Sequence, residues 1–279
     1  MPPQTSDSNN ERIAFIGGGN MASALIGGLL KRGLPASQIQ VIEPFSEQRA
    51  RLVGQFGIEV SKAPGEGLQR AGLVVWAVKP QTFRDAAAQS RAHTQGALHL
   101  SVAAGIRSGT IAGWLGTERV VRAMPNTPAL IGQGMTALFA RPGASTADRL
   151  AAERVVKTTG EFLWLAQEAQ LDAVTALSGS GPAYVFYFIE AMVQAATEMG
   201  LSPEQAHQLA IGTFVGASAL AKEATEPLDV LRARVTSKGG TTHAALMSME
   251  QGGIKATFIQ AIHAARQRAK DMGDEFGTT

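Results

Sequence analysis

Arg12-Ile13-Ala14-Phe15-Ile16-Gly17-Gly18-Gly19-Asn20-Met21-Ala22 is the stretch on which the fold of this chain turns. A β-rich run enters three glycines and an apolar-periodic segment leaves them, which reads as strand, phosphate loop and helix. Gly17 would make the tight turn and Gly19 would let the backbone approach a pyrophosphate. Ala22 would allow helix and strand to pack closely, with the helix N-terminus facing the phosphates. Glycines also collect in ordinary turns, so the triplet alone proves little. Its context adds weight, because a second β-rich run, Gln38-Ile39-Gln40-Val41-Ile42, ends in Glu43. That acid stands about 20 residues beyond the loop, where such folds bond the adenosine ribose hydroxyls. The implied ligand is a dinucleotide, against the alternative of a purely structural loop.

The chain has 279 residues, 45% of them hydrophobic, enough for a large core and two domains. Its 25 basic and 23 acidic side chains leave a formal charge of +2 and are scattered along the sequence, which points away from nucleic acid and membrane surfaces. Cysteine is absent, so disulfides, thiolate metal sites and a cysteine nucleophile are excluded together, and the five histidines show no metal-ligand spacing. Chemistry must come from a cofactor or from oxygen and nitrogen groups. Residues 1–10 are polar without a basic start or an apolar centre, unlike a secretory signal, and are expected to form a mobile tail. The most apolar stretches are too short for a bilayer or carry Glu190, Gln194 and Glu198, so a cytoplasmic protein is expected.

Up to Met124, β-rich runs at 39–42, 73–78, 97–102 and 119–124 alternate with helical patterns, the signature of a parallel sheet covered on both faces. Further strands are expected at 135–140 and 162–165. Beyond Ala166 the pattern becomes almost purely helical. The segment 183–199 is apolar around most of its circumference, with Glu190, Gln194 and Glu198 as one narrow polar stripe, and so predicts a helix packed into a subunit interface. Gly200 reads as its stop, and Ser202-Pro203-Glu204-Gln205 as the capped start of the next helix.

In an open parallel sheet, ligands bind outside the carboxyl ends of the strands, where Ala77-Val78-Lys79-Pro80 and Val102-Ala103-Ala104-Gly105 would line the cofactor channel. Lys79 reads either as an acid or phosphate partner or as a solvated residue before a helix-starting proline. Two loops in the helical half, Ser178-Gly179-Ser180-Gly181-Pro182 and Thr236-Ser237-Lys238-Gly239-Gly240-Thr241-Thr242, each precede a helix. Their N–H groups and hydroxyls either converge on an anion such as a carboxylate or simply cap helices.

Together these residues resemble the pyrroline-5-carboxylate reductases. The likeness runs from Ile13 to the C-terminal helix through Phe15-Ile16-Gly17-Gly18-Gly19-Asn20-Met21, Ala77-Val78-Lys79-Pro80, Ser101-Val102-Ala103-Ala104-Gly105, Arg122-Ala123-Met124-Pro125-Asn126-Thr127-Pro128, the segment 177–184 and the segment 236–242. The resemblance implies an α/β chain: an N-terminal Rossmann dinucleotide-binding domain at 11–166, then an all-α dimerisation and substrate domain at 167–279. It also implies an active site between the two and dimers assembling into a ring, a decamer. The implied reaction is hydride transfer from NADPH or NADH to the C=N carbon of Δ1-pyrroline-5-carboxylate, the last step of proline biosynthesis. The implied cofactor contacts are Ile16 to Ala22, Glu43, Ala77 to Pro80, Val102 to Ala104, and Asn126 on the nicotinamide side or as a turn residue. Ser237, Gly239, Gly240, Thr241 and Thr242 would hold the substrate carboxylate, with the Thr242 hydroxyl orienting the ring nitrogen or relaying its proton.

The chain departs from the family pattern at four places. Lys238 replaces a usual proline, the segment between Pro227 and Val235 has one extra residue, and Pro64 stands where a polar cofactor contact is common. Glu43 would repel a 2'-phosphate, leaving Arg49 or Arg51 to compensate. Two rival readings remain beside the reductase. A β-hydroxyacid dehydrogenase would need a lysine on helix 183–199, which has none, and a cofactor-sensing module would lack catalysis.

Overall fold

β1 (Arg12–Ile16) lies between β2 (Ile39–Ile42) and β4 (Ala71–Trp76), parallel to both, in the computed structural model, which describes residues 12–277. The tail expected at 1–10 falls outside the described residues. The sheet has eight strands in the order β3-β2-β1-β4-β5-β6-β7-β8, so the chain reverses its direction of travel across the sheet between β1 and β4. β3 is Glu59–Ser61, β5 Leu98–Ser101, β6 Val120–Met124, β7 Gly134–Ala140 and β8 Gly160–Trp164. All neighbours are parallel except β6 and β7. These two are joined by 125–133, which holds a single-turn helix and no crossover helix, and a short connection of that kind returns the chain antiparallel.

The strands read as unbroken apolar runs because both faces are covered. In β4, Leu73 and Val75 join Phe15, Leu25, Ile26 and Leu52 in a core against α1 (Asn20–Lys31) and α2 (Ser46–Phe56). Val74 and Trp76 face the other way, onto α3 (Pro80–Ser90) and α4 (Ser108–Leu115), with Phe83 stacked 4.8 Å from Trp76. Trp76 also donates from Nε1 to Nδ1 of His99 at 3.0 Å, and burial lowers the pKa of this histidine from its ordinary 6.5 to about 4.

α5 (Thr146–Val156) joins β7 to β8, and after β8 come α6 (Gln170–Val174) and a π-helical turn, Thr175–Gly179. Ser178 and Gly179 are therefore helical, and the expected loop at this place is reduced to Ser180. The helices α7 (Gly181–Glu198), α8 (Pro203–Glu223), α9 (Leu228–Arg234), α10 (Thr241–Gln251) and α11 (Ile254–Gly277) follow. Gly200 has a φ of +96° just past α7. Ser202 caps α8 by accepting from Gln205 N, while the Gln205 side chain accepts from Ser202 N.

The chain forms two compact units. One runs through Gly179 and includes the stretch from Ala265, and the other is Ser180–Ala264. This division differs from one drawn at 166, for a physical reason. Glu168 accepts from the hydroxyl of Ser108 at 2.6 Å and from buried Arg122 at 2.6 Å, which ties the segment after β8 to the sheet. Asp274 of α11 pairs with Arg107 at 2.9 Å, which ties the end of the chain there too. In the second unit Tyr184 and Phe188 meet Phe258 edge-on, yet α7 has no buried residue.

Candidate functional site

The glycine loop is built by packing on one side and left open on the other. Gly17 adopts a φ of +92°, and a Cβ there would lie 2.7 Å from the Ala77 carbonyl oxygen, so only glycine fits the turn between β1 and α1. A Cβ on Gly18 would meet Leu52 at 2.4 Å, whereas on Gly19 it would meet nothing within 4 Å. Gly19 is the N-cap of α1 without a side-chain cap and with no acid in the first turn. The leading N–H groups of α1 are thus free for an anion, and the helix dipole adds to their pull. Ala22 is fully buried, as close packing of α1 on the sheet requires.

A cavity of about 1000 Å³ opens beside this loop. Ile16, Gly17, Gly18, Gly19, Glu43, Ala77, Val78 and Lys79 line it, so the carboxyl ends of β1, β2 and β4 converge as the strand order requires. Its size suits part of an extended dinucleotide. The sequence reading missed Phe45, Gln48 and Lys62, which line the same cavity. Lys62 directly follows β3, a three-residue strand without an apolar run, so the carboxyl-end rule had no strand to apply to there.

Glu43 is only 6% exposed, and both its oxygens accept backbone N–H groups, from Gly18 at 2.9 Å and from Phe45 at 3.0 Å. Gln48 donates to the Gly18 carbonyl, and Arg49 donates to the carbonyls of Glu43 at 3.1 Å and Pro44 at 2.6 Å. Lys79 is exposed and stands at the N-cap of α3, ahead of Pro80.

Val102, Ala103 and Ala104 follow β5 at the same edge of the sheet but do not line the cavity, and neither do Asn20, Met21, Ala22 or Pro80. Asn126 also lies outside it. Its amide oxygen accepts from Met135 N at 2.9 Å and its nitrogen donates to Ser178 at 3.3 Å, which anchors the turn before β7 to the π-helical segment.

In the second unit, Gly239 has a φ of +76° and Gly240 N donates to Ser237 O at 3.0 Å. This turn delivers the chain into α10, whose N-cap Gly240 makes no side-chain cap. Ser237, Thr241 and Thr242 are exposed, and among the described residues their hydroxyls have no hydrogen-bond partner. Unlike Ser202, these residues do not serve as caps. They surround an uncapped helix N-terminus with free hydroxyls and the exposed Lys238, a set suited to a carboxylate. Among the described residues no cluster could hold a metal ion.

Residues 168–272 match the family model for pyrroline-5-carboxylate reductase dimerisation, and residues 12–105 match that for coenzyme F420-dependent NADP oxidoreductases. The pyrroline-5-carboxylate reductase of Pseudomonas aeruginosa is 45% identical over 269 residues, covering 95% of this chain and 98% of the relative. That of Arabidopsis thaliana is 34% identical over 94% of this chain and 95% of its own length. Among solved structures, the Coxiella burnetii reductase has a TM-score of 0.88 at 36% identity, covering 95% of this chain and 99% of its own. The Plasmodium falciparum enzyme with NADP bound has a TM-score of 0.85 at 27% identity, covering 95% and 98%. With a glycine loop, an open cavity and an uncapped α10 all in place, and with relatives that match 94% or more of its length, this chain belongs to the pyrroline-5-carboxylate reductase family.

Proposed function

We infer that this chain reduces Δ1-pyrroline-5-carboxylate to L-proline with NADPH or NADH. Family membership and one structural observation support this reading. The observation is the pair of uncapped helix N-termini, α1 beside the cavity and α10 beside Ser237, Thr241 and Thr242. The first suits a pyrophosphate and the second a carboxylate. When bound, the dihydronicotinamide supplies the hydride that adds to the C=N carbon.

This chain's residues have the remaining tasks. Ile16 to Ala22 hold the pyrophosphate through the loop and α1 N–H groups. Ala77 to Pro80 and Val102 to Ala104 line the path of the dinucleotide, and Asn126 keeps the Met124-Pro125-Asn126 turn in place on the nicotinamide side. Ser237, Gly239, Gly240, Thr241 and Thr242 hold the substrate carboxylate, and Lys238 adds attraction. An imine protonated at its ring nitrogen is already electrophilic, so the protein has chiefly to hold it at the right distance and angle. The Thr242 hydroxyl orients that nitrogen or relays its proton. In functional terms the chain divides into a dinucleotide-binding part, 11–166, and a dimerisation and substrate part, 167–279, in a cytoplasmic ring of dimers, a decamer.

The test is consumption of NADPH and of NADH with Δ1-pyrroline-5-carboxylate, with proline detected as product. Turnover is expected with at least one cofactor, and Thr242→Val should lower kcat/KM by roughly tenfold or more through the lost hydrogen bond to a charged group. No proline with either cofactor overturns the activity, and unchanged kinetics in Thr242→Val overturn that residue's role.

A further inference from the structure

The cavity is lined by three cations and three acids, Arg51, Lys62 and Lys79 against Glu43, Glu47 and Asp85, and these charges are not equally available. Glu43 is buried and each of its oxygens accepts a backbone N–H, from Gly18 and from Phe45. Its carboxylate fixes the glycine loop against the turn that opens α2. Arg49, one of two arginines on α2 able to offset the acid, is committed to the Glu43 and Pro44 carbonyls and does not line the cavity. Arg51 and Lys62 do line it, from α2 and from the end of β3, the two elements beside the carboxyl end of β2. Both are exposed, and among the described residues neither has a hydrogen bond or an ion pair. On the same wall Phe45, 73% exposed, offers an aromatic face to a planar base.

We propose that Arg51 and Lys62 form the subsite for the 2'-phosphate of NADPH, and that Glu43 is a positioning residue for the glycine loop. The chain then prefers NADPH despite an acid at the end of β2. A guanidinium fork and a flexible ammonium suit a terminal phosphate dianion, which has no counterpart in NADH. Glu47 and Asp85 oppose the phosphate, so the preference weakens as salt screens the two cations. This inference rests on reading the cavity as the dinucleotide site.

Calorimetric titration of the full chain with NADP⁺, NAD⁺, 2',5'-ADP and 5'-AMP tests it without turnover. Wild type should bind NADP⁺ more tightly than NAD⁺ and 2',5'-ADP more tightly than 5'-AMP. The double variant Arg51→Gln with Lys62→Gln should lose about 100-fold in affinity for the two phosphorylated ligands and keep its affinity for the other two. Glu43→Gln, which puts an amide where two N–H groups need acceptors, should weaken NADP⁺ and NAD⁺ alike. The proposal is overturned if the double variant weakens all four ligands equally or none of them, or if Glu43→Gln weakens NAD⁺ alone. Binding of neither dinucleotide to wild type would instead overturn the cavity reading itself.

Discussion

Three adjacent glycines carry three separate constraints, and substitution separates them. Alanine at Gly17 would force a β-carbon onto a φ of +92° and within 2.7 Å of the Ala77 oxygen. A strained backbone of this kind costs on the order of 1–3 kcal/mol before the clash is counted. Alanine at Gly19 meets open space at an already extended N-cap, so the fold should tolerate it. Its methyl would instead stand where the phosphates approach. Gly17→Ala is therefore expected to lower the melting temperature by several degrees, and Gly19→Ala to melt close to wild type while binding NADPH about tenfold more weakly. Thermal melts paired with nucleotide titrations check this. A Gly19→Ala protein with wild-type affinity would show that the phosphates do not lie against that residue.

Among the elements, Ser108 at the start of α4, Arg122 in β6 and Glu168 after β8 form a tie no local pattern announces. Burial alone would raise the Glu168 carboxyl, but hydrogen bonds from the Ser108 hydroxyl and N–H and from Arg122 outweigh it and hold the group below its ordinary 4.5. A carboxyl lowered in the folded state contributes stability above its unfolded value and loses it as pH falls through the folded one. His99 acts over a higher range in the same direction. It stays neutral in the fold down to about 4, whereas the unfolded histidine takes up a proton near 6.5. Wild type should thus lose stability from about pH 6.5 downward, and further below 4.5. Glu168→Gln leaves Arg122 buried without its counter-charge and should cost about 3 kcal/mol at neutral pH, a deficit that narrows in acid. Denaturant titrations at pH 7, 5.5 and 4 measure both, and a deficit independent of pH would remove the charge from the account. The strand-loop-helix start was legible in sequence because a few contiguous residues encode it, as were Gly200 and the Ser202 cap. The Glu168 tie was not, since its partners meet only through the sheet. β3 was missed because three residues give no periodicity, whereas the strand at 135–140 was read and only its antiparallel direction was not, since direction depends on the connection before it. The π-helical turn at Ser178 hid behind glycines and serines that read as loop.

For the whole molecule, the second unit leaves an imbalance one chain cannot settle. No residue of α7 is buried, although most of its circumference is apolar, and Phe186 and Tyr187 are 60% and 70% exposed. On α8, Val215 and Leu220 are 65% and 69% exposed. An aromatic side chain buries 150–250 Å², worth roughly 25 cal/mol per Å², so covering this surface would yield many kcal/mol in sum. Apolar patches of this extent mark association sites, and the segment 168–272 matches a dimerisation family. Among the described residues no helix is long and apolar enough to cross a membrane. A second copy of the chain is the expected cover, and light scattering should find a mass at least twice 29.2 kDa, or about ten times if the proposed ring forms. Phe186→Asp places a charge on the surface that must become dry, so it should drop the mass toward a single chain, lower the melting temperature and make it depend on protein concentration. A wild-type protein that sediments as a monomer at micromolar concentration would exclude the second copy and leave the apolar face of α7 to some other partner.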